Sequence, residues 1–135
     1  MKDFKEIQST FNAQHYIECV KLCEKELQKN PNSVNVLMYA GEALIILGDF
    51  LNAHKYLTKA YECSEDGLGT AERIGDKWLN AGNASNALKW YEKGLLWSES
   101  SPSILNKIGN IQATLGKFRE AELFFKKAIQ ADEKF

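Results

Sequence analysis

The sequence predicts an all-helical chain assembled from antiparallel helix hairpins, and three observations carry that expectation. A pattern of small and apolar residues returns every 34 positions: Leu37, Ala40, Gly41, Gly48, Ala53, Leu57 and Ala60, then Ile74, Gly75, Gly82, Ala87, Tyr91 and Gly94, then Leu105, Ile108, Gly109, Gly116, Ala121, Phe125 and Ala128. Between the breaks, apolar residues fall three and four apart, the spacing that gathers them on one face of a helix. The two prolines, Pro31 and Pro102, both sit at segment boundaries, and strand-type alternation is missing. Asp66-Gly67 is the nearest approach to a hairpin turn signal, and it lies between helical segments.

The first segment, about Asp3 to Ala13, carries Phe4, Ile7 and Phe11 as its apolar stripe. The second, Tyr16 to Lys29, turns Cys19, Val20, Cys23 and Leu27 inward. Asn30-Pro31-Asn32-Ser33 ends it, because proline cannot continue the hydrogen-bond ladder. Ser33 is placed to cap a third helix, Val34 to Leu47, which Gly48 stops. The fourth is expected from Phe50 to Cys63. The scheme then repeats with helices near 67–81, 84–97, 102–115 and 118–134. Gly82 and Gly116 are the stops, and Ser101-Pro102 supplies a cap followed by proline at the first helical position. Helices of about a dozen residues are marginal alone in water, so they must be held by stacking on one another.

Gly41, Gly75 and Gly109 fall inside helices, where glycine costs about 1 kcal/mol relative to alanine. Three such costs at one period imply close approach of a neighbouring helix. Ala53, Ala87 and Ala121 are the expected small partners, with Leu44, Trp78, Leu57, Tyr91 and Phe125 filling the space around them.

Charge and length bound the function. The 135 residues carry a formal net charge of -1, with 44% hydrophobic and 26% charged residues. That is globular rather than disordered, and it lacks the basic footprint that phosphate neutralisation requires, so nucleic acid is not an expected partner. The longest apolar run, Ala43 to Leu47, is too short to span a bilayer, and the charged N-terminus has no signal-peptide core. The odd count of three cysteines suits reduced thiols. A cytoplasmic protein is the expectation.

With these positions in register, the chain resembles the tetratricopeptide repeat family, whose unit is a 34-residue helix–turn–helix. Three full units fit at 34–67, 68–101 and 102–135, and residues 1–33 make a degenerate first unit in which Tyr16, Cys19, Cys23 and Pro31 keep the register. The resemblance spans residues 1–135 as one domain. Departures are Ala71 at the large first position, Gln112 at the aromatic one, and Glu65, Glu99 and Glu133 in place of the terminal proline. The resemblance implies a right-handed superhelical stack of about eight helices, with the first helix of each hairpin lining a concave groove for an extended or helical segment of a partner protein. The groove slots are Asn35, Tyr39 and Glu42, then Arg73, Asp76 and Asn80, then Asn106, Lys107 and Asn110. Lys5, Tyr39, Arg73 and Lys107 share one slot and are expected to form a ladder. The alternative is that these side chains are solvated polar faces.

Other functions are weaker. Family members that grip the carboxylate terminus of heat-shock chaperones use Lys-x3-Asn, Asn and Lys-x3-Arg on successive first helices. The equivalent slots here give one match in either register, so that clamp is not expected. His15, Cys19 and Cys23 lie four apart on one helix, but the two cysteines occupy core slots and no fourth ligand is evident, so no metal or other cofactor is expected. No phosphate loop, acidic dyad or nucleophile–base pair suggests an enzyme. Trp97 either covers the next hairpin or stands as an exposed anchor. Leu123, Phe124, Ile129 and Phe135 form an apolar terminal face, so self-assembly through the last repeat, giving a homo-oligomer, is the second functional expectation.

Overall fold

The computed structural model describes residues 2–133. It holds eight helices and, among the described residues, no strand: α1 (Lys2–Asn12), α2 (Tyr16–Lys29), α3 (Val34–Leu47), α4 (Phe50–Cys63), α5 (Gly67–Asn80), α6 (Ala84–Leu95), α7 (Pro102–Thr114) and α8 (Phe118–Glu133). Three helices have the expected bounds, α1 is displaced by one residue at both ends, and α5, α6 and α7 end one or two residues early. Lys134, where the last helix was expected to finish, and Phe135 lie outside the described residues. The chain forms two compact units, Met1–Glu65 and Asp66–Phe135.

In the first unit each helix packs on the next, and α1 also reaches α3. Ile7, Cys19, Cys23, Leu37, Met38 and Leu57 are closed to solvent. The α1 segment, which misses the first-helix signature, is held by aromatic contacts instead. Phe4 and Phe11 meet the Tyr39 ring edge-on at 5.7 and 5.4 Å between centroids. The Cys19 thiol donates weakly to the Ile7 carbonyl at 3.7 Å. Burial pushes the thiols of Cys19 and Cys23 up from their ordinary range, which keeps them protonated and unreactive. His15 stands away from them on the surface, paired with Glu18 at 3.8 Å.

The second unit encloses Ala71, Ile74, Trp78, Tyr91, Ile104, Leu105 and Ile108. Here the internal glycines show their purpose. A Cβ on Gly75 would stand 2.4 Å from the Tyr91 ring, and one on Gly109 would stand 2.6 Å from that of Phe125. In the first unit, Gly41 meets Leu57 in the same way at 2.4 Å. The partners are therefore the large residues of the second helix rather than the alanines expected from sequence. Each glycine is a hole for one bulky knob. Trp97 follows α6 as an irregular extension. Its indole lies where a Cβ on Gly67 would be, 2.2 Å from Cε2, so it packs over the start of α5 while remaining half exposed.

Helix starts are set by side chains that satisfy free backbone donors. Asp49, Asp66, Asn83 and Ser101 accept from the amides of Asn52, Gly69, Asn86 and Ile104. Ser33 occupies its cap position without that bond, and the Asp66-Gly67 pair is a helix start, not a turn between strands. Gly48, Gly82 and Gly116 take left-handed φ of 84, 81 and 80°. Thirty-four residues before Gly48, Gln14 fills the same slot at φ 65°. A residue with a Cβ pays about 1–2 kcal/mol there. After the greater unfolded-state freedom of glycine is subtracted, Gln14→Gly is expected to stabilise the first unit by about 0.5–1 kcal/mol in urea denaturation.

Candidate protein-interaction faces

The residues expected to line a groove fall on α3, α5 and α7, and their surroundings differ between units. On α3, Asn35 is exposed. Tyr39 is half-buried between Phe4 and Phe11, and its hydroxyl accepts from Gln8 Nε2 at 3.4 Å. Glu42, one turn on, is half-buried, and its charge helps to hold the Cys19 thiol protonated, after burial itself. Tyr39 is thus committed to seating α1, and Asn35 is the freely presented member of this set.

On α5 and α7 the structure brings predicted and unpredicted residues together. The Lys107 ammonium reaches Glu72 at 2.6 Å and Asp76 at 3.0 Å. It also stands 5.9 Å from the centroid of the Tyr91 ring. The Tyr91 hydroxyl donates to Asp76 Oδ1 at 2.6 Å, and the Ser103 hydroxyl donates to Glu72. Burial would lower the lysine pKa, but the hydrogen bonds and charges of Glu72 and Asp76 outweigh it, and the net shift is upward. Burial and then the Asp76 carboxylate raise the Tyr91 phenol. Lys107 is therefore a cross-brace between α5 and α7 rather than an extended cation. Arg73, one repeat earlier in the same slot, is exposed and makes no ion pair among the described residues. Asn80, Asn106 and Asn110 are likewise exposed. Their side-chain amides have both donors and acceptors to offer a peptide backbone.

Glu72, Ser103 and Tyr91 were not singled out from sequence as parts of this network. A usable signal existed: Arg73 and Lys107 repeat a positive charge on successive first helices, and Glu72 and Asp76 are the carboxylates one turn apart that can neutralise one of them.

At the terminal face, Phe124 is half-buried, packed with Leu95 against Leu105, Ala128 and Ala131. Lys127 stands over its ring at 5.3 Å. Leu123 and Ile129 are exposed, and Phe135 lies outside the described residues. Among the described residues, no three His, Cys, Asp or Glu side chains gather as metal ligands would, and no helix is long and apolar enough to cross a membrane.

A family model described as tetratricopeptide repeat matches residues 102–135. That segment is a tetratricopeptide repeat. It comprises α7 and α8, and the glycine-into-aromatic packing of Gly109 on Phe125 within it is repeated by Gly75 on Tyr91. The fold of the whole chain agrees with this assignment. A structure titled "Crystal structure of MamA" superposes with a TM-score of 0.71 at 19% identity, covering 96% of this chain and 76% of that one. "MamA RS-1 ArsTM double mutant" gives 0.68 at 13% identity over 98% and 74%, and "MamA MSR-1 C2" gives 0.64 at 20% over 93% and 72%. At such identities the likeness is one of fold. A comparison with curated proteins gave no match. Tetratricopeptide repeats cannot bury their apolar faces singly, so they stack, and their stacking leaves extended surfaces suited to holding other proteins.

Proposed function

We propose that the protein is a non-catalytic interaction scaffold that holds a segment of a partner protein against the first helices of its repeats. The observation that carries this is on α5 and α7. Arg73, Asn80, Asn106 and Asn110 are exposed around a Lys107 already neutralised by Glu72 and Asp76. Such a face offers amide hydrogen bonds and one exposed guanidinium beside a braced support, which suits recognition of a backbone and of an acidic side chain.

The test uses residues outside the brace. Arg73→Glu combined with Asn106→Ala and Asn110→Ala is expected to abolish partner capture in affinity purification followed by mass spectrometry, with the circular dichroism melt unchanged. Capture of the same proteins by the triple variant overturns the proposal.

Self-association through α8 is the second reading, and one comparison favours it. Leu95 on α6 is half-buried against the following hairpin, whereas Ile129, in the same slot one repeat later, is 58% exposed. Sedimentation at rising concentration decides it. A monomer throughout removes this reading, and a dimer lost in Ile129→Lys supports it.

A further inference from the structure

The second helices carry a pattern that the first helices do not. Lys21, Lys55 and Lys89 stand 34 residues apart, and so do Lys25, Lys59, Lys93 and Lys127. All seven are exposed. The formal net charge of -1 conceals them. Like charges one turn apart on a helix are unfavourable, yet the pair recurs in α2, α4 and α6. On α4 the pair also has no internal counter-ion, because neither Lys55 nor Lys59 makes an ion pair among the described residues.

A second feature lies at the same place. The outer face of α4 presents a shallow, open strip bordered by Leu51, His54, Lys55, Thr58, Lys59 and Glu62, all on this one helix. Leu51, at its end, is 81% exposed. One apolar side chain and two ammonium groups without an ion pair therefore share one exposed strip with the Glu62 carboxylate.

We propose that this face of α4 is a second docking surface, distinct from the first-helix faces, for an acidic amphipathic segment of another protein. An apolar side chain of that segment covers Leu51, and its carboxylates pair with Lys55 and Lys59. Charge complementarity selects the acidic partner. The Glu62 carboxylate on the same strip selects a protein segment over an anionic bilayer, since a segment can set its carboxylates on Lys55 and Lys59 alone, whereas a charged plane also meets Glu62.

The experiment is fluorescence anisotropy with a short labelled peptide of Glu and Leu at helical spacing, titrated with the intact chain. The expected result is saturable binding that weakens as salt rises. Lys55→Glu with Lys59→Glu is expected to lose about tenfold or more in affinity, and Leu51→Ser several-fold. Because these side chains are exposed, the melt of each variant should match the parent. The Arg73, Asn106 and Asn110 triple variant should bind the peptide normally, so failure here is distinguishable from failure of the proposed groove function. Equal binding by the Lys55/Lys59 double variant, or no binding at low salt, overturns the proposal. So does association with phosphatidylserine vesicles in place of the peptide, which would assign the surface to lipid.

Discussion

Gly75→Ala is expected to destabilise the hairpin of α5 and α6 by about 2 kcal/mol. On propensity alone alanine should gain about 1 kcal/mol in a helix interior. The opposing effect is steric, since the new methyl would stand 2.4 to 3.0 Å from three atoms of the Tyr91 ring. Overpacking of this kind costs about 1–3 kcal/mol, and the upper end applies because Tyr91 cannot step aside. Its ring is fully buried, and its hydroxyl is anchored on Asp76 at 2.6 Å. Gly109→Ala makes the same contact with Phe125 at 2.6 Å, but that ring is half-buried and has no polar anchor. It can swing outward, so the net cost there is expected to be below about 1 kcal/mol. Urea denaturation of the two variants tests the account, and equal costs would show that Tyr91 is not held in place.

The contrast between these glycines also marks what was legible in the sequence. The 34-residue period located all three, and the positions of Gly48, Gly82 and Gly116 fixed where first helices end. Those are local and periodic signals, and they survive because every repeat must solve the same packing problem. The filling residues Leu57, Tyr91 and Phe125 follow from the same period, but the alanines are not the direct partners of the glycines, since small residues opposite small ones is a rule for closely crossing backbones. Here a bulky side chain enters the gap. Gln14 was missed for the opposite reason: its backbone strain has no local sequence signature and emerges only when it is aligned with glycines one repeat later. Of the candidate site, the exposure of Arg73, Asn106 and Asn110 on first helices was legible from their slots in the repeat. The state of Lys107 was not. Whether a lysine projects or folds back depends on carboxylates 31 and 35 residues away, a tertiary fact that the slot assignment does not contain. Gln112 shows the same limit: it stands in an aromatic slot, and its Oε1 is buried without a partner among the described residues.

Lys107 gives the second large effect, and pH separates its causes. Lys107→Glu would place three carboxylates around one point. The side chain is 31% exposed, so solvent screens part of the repulsion, and a loss of about 2 kcal/mol at neutral pH is expected. Acidification should recover much of it as the carboxylates take up protons. In the parent protein the sensitive range is alkaline. Lys107 is raised above its ordinary 10.5 and Tyr91 above its ordinary 10.0. For both, the folded state holds its proton more tightly than the unfolded chain, so the free energy of unfolding falls as pH rises past the unfolded values. The stability they contribute is fully present below about pH 10 and is lost as pH climbs through their folded values. Thermal melts should therefore be flat in this respect from neutrality to about pH 10 and fall beyond it. Tyr91→Phe keeps the ring in the Gly75 hole and removes the titrating hydroxyl. It is expected to cost about 1 kcal/mol at neutral pH and to flatten the alkaline fall. Lys107→Met should flatten it through the other group. An alkaline profile unchanged in both variants would mean that the brace between α5 and α7 does not hold in solution. Arg73 would then no longer be distinguished from Lys107 as the cation presented to a partner.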